Sequence, residues 1–301
     1  MVYKIAEPED ILVHAQRLYP NSFHEKVSSN NLMKDLYRKA VFLSGINEVI
    51  EGGGEPVIVD AAGGSGKLWD ALGESKNKKF IYIRADISRE ELEKGGWKFK
   101  VIGDVTHMPI ADKTADAVFM LNVPIPLSKV REYVEGMKAE SENEKESKRR
   151  MLEALENAED AIYKLNLLEG VRMLKENGVM VLGAAYHGHT MKDVQDVVKN
   201  LQLQLEKFDI MELDERIVPL WKDYGIEISK PKFALVSLRK TGDDARELVE
   251  QYEQMLHNSL QELSRVGGFE KVLRDMKKWS KVKSGESFKI DKEMFSSIVF
   301  E

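Results

Sequence analysis

The sequence has no cysteine among its 301 residues. Disulfides, thiolate metal sites and cysteine nucleophiles are therefore excluded, and several enzyme classes with them. No apolar run approaches the roughly 18 to 20 residues that span a bilayer, so no membrane span is expected. The opening segment MVYKIAEPEDILVHAQ lacks the basic, apolar and small-residue succession of an export signal, which points to a cytoplasmic location. Excess positive charge is also missing: a formal net charge of −6 gives no global attraction for nucleic acid, although a local basic face is compatible with it. What is present, 43% hydrophobic and 32% charged residues, is the composition of a soluble globular protein with material for a large core.

Helical signals come first along the chain. Glu7 to Leu18 reads as a short helix between Pro8 and Pro20. A second, capped by Ser28 to Asn30, carries Leu32, Leu36, Tyr37, Ala40, Leu43 and Ile50 at helical spacing and stops at Gly52-Gly53-Gly54. The period then changes. PVIVDAAGGSG reads as a strand running into a glycine turn, and KLWDALGE as a helix. Phe80 to Ala85 is a second strand stopping at Asp86, with Ser88 and Glu91 spaced as a capping box; Lys98 to Ile102 and Asp116 to Leu121 are a third and fourth. Leu127 to Asn177 is mainly helical, with Asn177-Gly178 as the stop. Within it, Lys138 to Arg150 predicts a solvated extension carrying Glu144/Lys148 and Glu146/Arg150 pairs, a lid over the site being the alternative. Val179 to Ala185 is a fifth strand, Met191 to Phe208 a helix, and Ile226 to Ser229 with Phe233 to Leu238 a strand pair around Lys230-Pro231. An amphipathic helix from Ala245 closes at Gly267-Gly268, and another runs through Trp279.

Strands alternating with helices imply an α/β fold with a mostly parallel sheet covered on both faces. Ligands bind such sheets outside the carboxyl ends of the strands, so Asp60, Asp86, Asp104 and Asn122 should share one crevice. The turn chemistry discriminates among users of that crevice. In Ala61-Ala62-Gly63-Gly64-Ser65-Gly66, the position three residues after Gly66 is Trp69, so the dinucleotide fingerprint fails; Lys67 is followed by Leu68, so the P-loop pattern fails too.

The ordered set VDAAGGSGKL, ADISREEL, GDVTHMPIADKTADAVFMLNV and LEGVRMLKENGVMVLG instead resembles the motifs of the class I S-adenosylmethionine-dependent methyltransferases, over roughly Val57 to Lys240. It is closest in flavour to the group that includes quinone-biosynthesis methyltransferases. The resemblance implies a Rossmann-like seven-stranded, mostly parallel sheet with helices on both faces and S-adenosylmethionine as cofactor. It also implies the roles of individual residues. Gly63, Gly64 and Gly66, with Ala61 beside them, would let the backbone approach the cofactor's amino acid end. Asp86, next to Ile87, would take the ribose hydroxyls, unless it merely starts a turn. Asp104 would take the adenine amino group with Val105 beside the ring, unless it only forms the turn after Gly103. Asp60 either orders the glycine turn or contacts the cofactor's amino group.

Asn122-Val123-Pro124-Ile125-Pro126 lies where amino-methylating enzymes carry an Asn/Asp-Pro-Pro-aromatic motif, but Val123 replaces the first proline and no aromatic residue follows the second. A rigid loop lining the cofactor site is the better reading. His187-Gly188-His189 follows the fifth strand and reads first as an ordinary polar loop, with a base or substrate-facing histidine as the next reading and a metal ligand as the last, since no cysteine or nearby carboxylate supports it. No catalytic residue declares itself; His187 and Asn122 are candidates by position, and no metal site is expected. Met108 and Met120 read as core, and Tyr19, His24 and Tyr37 as packing residues that could instead close the site. Residues 1–54, 124–160 and 241–301 form an N-terminal helical cap, an insertion and a C-terminal extension around a 55–240 core. They would shape a small-molecule acceptor site or a homo-oligomer contact. A non-catalytic module binding protein or RNA is the alternative.

Overall fold

The computed structural model describes residues 31–64, 66–87, 89–93, 99–121, 123, 127–185, 198, 201, 203–212, 232–242, 246–266, 268–269 and 271–272. The first clear helical pattern folds as two helices, α1 (Asn31–Ser44) and α2 (Ile46–Glu51), because Gly45 is left-handed at φ 67° and breaks the run. The expected caps at 28–30 and the helix at 7–18 lie outside the described residues.

The strand–turn–helix succession follows in order: β1 (Val57–Ala61), α3 (Lys67–Ala71) with a 3-10 turn at Gly73–Asn77, β2 (Ile81–Asp86), α4 (Arg89–Glu93), β3 (Phe99–Ile102) and β4 (Ala115–Leu121). Two further helices, α5 (Ser128–Gly136) and α6 (Glu142–Met173), lead to β5 (Leu174–Ala185), β6 (Leu203–Glu212), β7 (Lys232–Lys240) and α7 (Arg246–Arg265). The seven strands form one sheet in the order β3-β2-β1-β4-β5-β7-β6. Pairings from β3 through β5 are parallel, while β7 runs antiparallel to both β5 and β6. The seven-stranded, mostly parallel Rossmann-like sheet is therefore present. The order reverses at β1, whose neighbours are β2 and β4, and this reversal opens a crevice at the carboxyl ends.

Alternation along the strands sends Ile58, Ala117 and Phe119 to one face, where α1, α2 and α3 cover them, and Val59, Val118 and Met120 to the other, against α6. Tyr37 belongs to the first core, and Met108 and Met120 to the second. A third apolar cluster joins α5, the amino-terminal half of α6 and α7 through Val130, Val134, Met151, Leu155, Leu260 and Leu263. The 32 residues of α6 extend about 48 Å, roughly twice the length of a seven-residue strand. Because α6 ends at the amino edge, where Leu174 pairs with Ala115, its excess length runs past the carboxyl edge.

Three expectations are corrected. α6 stops at Met173 rather than Asn177, because Leu174 turns extended and is buried in pairing with Ala115; Asn177, at φ 61°, belongs to an irregular loop-out within β5. Residues 203–208, expected as helix, are strand: Leu203 and Leu205 face the core while Gln204 and Glu206 are exposed. The strand expected at 233–238 is present as β7 and pairs with β5 and β6, while its expected companion at 226–229 lies outside the described residues. The charge pairs differ as well. Glu144 closes a capping box with Ser141, Lys148 donates to the carbonyls of Glu135 and Met137, and Arg150 reaches Glu262 on α7. Among the described residues no helix is long and apolar enough to cross a membrane.

Candidate functional site

β1 leaves the sheet at Ala61 and enters α3 through a turn in which Ala62, Gly64 and Gly66 have φ of 56°, 46° and 81°. Only glycine adopts such values without strain, so the turn needs most of its glycines for conformation alone. Three of its backbone donors are used within the protein. Gly63 N–H bonds the carbonyl of Ala85 at 3.0 Å, Gly66 N–H bonds Gly63 O at 2.8 Å, and Gly64 N–H bonds Asp86 Oδ2 at 2.8 Å. The carbonyl of Asp86 accepts in turn from Gly103 N–H at 3.2 Å. Asp86, only 9% exposed, thus ties the ends of β1, β2 and β3 together.

Asp60 lies beneath this turn. It is 3% exposed, it sits opposite Arg84 in the strand register, and the Tyr82 hydroxyl donates to its Oδ2 at 2.5 Å. A Cβ at Gly63 would come within 2.7 Å of the Asp60 carboxylate carbon and 2.8 Å of Arg84 Cγ, so the side chains below leave room only for glycine. At Gly64 a Cβ would meet no atom within 4 Å, which marks the open side. Burial pushes the Asp60 carboxyl up to about 7, opposed by the Tyr82 hydrogen bond and the Arg84 charge and assisted by Asp86. Burial, and then the Asp60 charge, also raise the Tyr82 hydroxyl. Of the two roles open to Asp60, the geometry supports ordering the turn. Arg84 is fully buried, and its guanidinium donates to the Leu92 carbonyl, holding α4 against β2.

Asp104 builds its own turn, its Oδ1 accepting from Thr106 N–H at 2.8 Å and Thr106 Oγ1 at 2.7 Å, while its carbonyl accepts from His107 N–H at 2.9 Å. Val105 is half-buried against the second core beside Val123. Ile87 and Ile102, 51% and 50% exposed, place apolar surface on either side of Asp86 at the ends of β2 and β3. Ala61 is fully buried. Asn122, His187 and His189 lie outside the described residues, as do Tyr19 and His24. Among the described residues, no three His, Asp or Glu side chains gather as a metal site.

Sequence reasoning missed Tyr82 and Arg84 beneath the turn, although polar residues at 82, 84 and 86 alternate with apolar ones in β2. It also gave no role to Glu169 and Arg172 near the end of α6. A separate cleft of about 520 Å³ lies between α6 and α7, lined by Glu146, Arg149, Arg150, Asn157, Asn258 and Glu262. Its arginines are paired with Glu146, Glu153 and Glu262.

The strand-end arrangement selects ligands by charge. A phosphate needs free backbone donors at the turn, and here the Gly63 and Gly64 N–H groups are already used within the protein. A carboxylate sits against the same turn. The crevice therefore disfavours an anion and offers oxygen acceptors between apolar side chains.

No protein-family model matches the sequence, and no curated protein matches it. Similar chain paths occur among solved structures. A methyltransferase from Methanosarcina mazei described as S-adenosylmethionine-dependent is 12% identical, with 65% of this chain and 98% of that chain covered and a TM-score of 0.41. The magnesium protoporphyrin IX methyltransferase of Synechocystis PCC 6803, solved with bound S-adenosylmethionine, is 12% identical over 70% of this chain and 85% of its own, with a TM-score of 0.40. The [4+2]-cyclase SpnF is 10% identical over 66% and 81%, with a TM-score of 0.44. Likeness at this level is an outline of the fold and brings no residue role to this chain.

Proposed function

We propose that this chain binds S-adenosylmethionine at the carboxyl ends of β1 to β4 and transfers its methyl group to a small-molecule acceptor. The observation that carries the reading is the inward-tied glycine turn with Asp86 against it, which suits a cationic donor bearing ribose hydroxyls and no phosphate. Asp86 would accept from the ribose, Ile87 and Val105 would flank the adenine, and Asp104 would take its amino group. Gly64, open on its outer side, would face the amino acid end.

The donor, when bound, supplies an electrophilic methyl group on a positive sulfur. The protein's part is then alignment of the acceptor for in-line attack, which can contribute about 7 to 11 kcal/mol. His187 and Asn122 are the candidates for orienting the acceptor or taking its proton. The half of α6 that overshoots the sheet, with α5 and α7, would bound the acceptor pocket or carry a homo-oligomer contact. Titration calorimetry with S-adenosylhomocysteine, on wild type and Asp86→Ala, tests the cofactor assignment. Binding lost in the variant supports it, and no heat with the wild type refutes it.

A second reading draws on a specific observation: both Asp86 and Asp104 are engaged by loop backbone, and the helical bundle has its own core. A non-catalytic module that keeps the fold for protein or RNA contact would show both. It is favoured if Asp86→Ala abolishes cofactor binding yet leaves biological activity intact.

A further inference from the structure

The connection from β3 to β4 carries Asp104 and Val105 and then runs from Met108 to Asp112 across the face covered by α6. One pair of side chains on α6 holds that run. Glu169 Oε1 accepts from Met108 N–H at 2.6 Å, and Arg172 donates to Met108 O at 2.9 Å, to Ile110 O at 2.7 Å and to Asp112 Oδ1 at 2.5 Å. Glu169 and Arg172 also bond each other through both carboxylate oxygens, at 2.6 and 2.8 Å. A planar guanidinium with five donors suits such a set, and a lysine could not reproduce it.

The hold is passed to the site by packing. A Cβ at Gly103 would meet Pro109 Cδ at 2.7 Å and Met108 Sδ at 3.3 Å, so Met108 and Pro109 fill the space beside the glycine immediately before Asp104. Gly170, between the pair, lets α6 approach the sheet: a Cβ there would come within 2.5 Å of Met180 Sδ and 2.9 Å of Met120 Cε. This close approach brings Glu169 and Arg172 within reach of the connection.

We infer that Glu169 and Arg172 are positioning residues that hold the Asp104–Val105 turn in register for reading the adenine edge. The inference rests on the cofactor assignment proposed above. The pair touches no part of the cofactor; it acts through Met108, Pro109 and Gly103.

The test compares S-adenosylhomocysteine with its purine analogue, whose base carries hydrogen in place of the exocyclic amine and gains no new donor. An acceptor at Asp104 would lose its donor there, so the wild type should prefer the adenosyl compound by about tenfold or more. Arg172→Lys and the near-isosteric Glu169→Gln should bring the ratio below about threefold. The control Leu155→Ala, in the helical bundle, should lower stability and keep the ratio. A merely structural role would weaken both ligands equally, so an unchanged ratio in folded Glu169→Gln overturns the inference. Wild type that binds both ligands equally also overturns it, since Asp104 then reads no base. Wild type that binds neither refutes the cofactor assignment and the inference with it.

Discussion

The two ends of α6 serve regions held together by different means. Toward its carboxyl end the helix lies on the sheet, and its own Glu169 and Arg172 fasten the run from Met108 to Asp112; on the opposite sheet face Arg84 holds the Leu92 carbonyl and Asp60 lies beneath Gly63. Toward its amino end the helix joins α5 and α7 in an apolar bundle, and its charges are mostly exposed: Arg149 pairs with Glu146 and Glu153 one turn away, Arg150 crosses to Glu262 on α7, and Lys148 reaches the carbonyls of Glu135 and Met137. Buried charges with fixed backbone partners specify loop geometry, whereas exposed pairs contribute little to stability. Recognition should therefore depend on the first region and bulk stability on the second.

A pair of substitutions can break that division. Leu155→Ala removes a fully buried side chain from the bundle and should cost about 2 to 5 kcal/mol by chemical denaturation. Affinity for S-adenosylhomocysteine should remain within about twofold, because no strand-end contact changes. Gly63→Ala should do the reverse. Its Cβ collides with the Asp60 carboxylate and Arg84, so the turn must shift, at a stability cost of about 1 to 3 kcal/mol and with most of the cofactor affinity lost. Equal affinity losses in the two variants would show that bundle and site are one cooperative unit.

The same contrast decides what was legible in the sequence. β1 to β4 were readable because each is a short apolar run ended by a polar residue or glycine, and their order placed Asp60, Asp86 and Asp104 at one edge. β6 was not: Leu201, Leu205 and Phe208 fit a helical stripe as well as Leu201, Leu203 and Leu205 fit a strand, and pairing with β7 decides between them. The partner of Arg150 was unreadable because Glu262 is 112 residues away. The role of Asp60 was open because it depends on what lies above and beside the carboxyl, namely Gly63, Tyr82 and Arg84, and a strand pattern does not specify those contacts.

A pH series tests the same division. Asp60 is raised from an ordinary 3.8 to about 7 in the folded protein, so between those values the folded state holds a proton that the unfolded state has released. This group's contribution is therefore fully present below about pH 4, falls as the pH rises toward 7, and is flat above it. Between pH 5 and 8 the loss should be about 2 to 3 kcal/mol. Asp60→Asn, which keeps an acceptor for Tyr82, should remove this part of the slope, so the variant gains on the wild type as pH rises. Denaturant midpoints of both proteins at pH 5 and 8 check it. Identical slopes would mean that Asp60 is ionised beneath the turn throughout.

The smallest effect belongs to the bundle surface, and its smallness is what makes it informative. Glu146 is held below the usual carboxylate range by its hydrogen bonds from Arg149, yet both side chains are more than half exposed. Water and salt screen such a pair, and Arg149 has Glu153 at 3.1 Å as an alternative partner. Glu146→Gln should therefore move the melting temperature by less than about 1 °C and leave ligand binding unchanged. If the same substitution instead shifted affinity for S-adenosylhomocysteine, the charged face of α6 would reach the crevice, and this stretch would be acting as a lid rather than as a solvated helix.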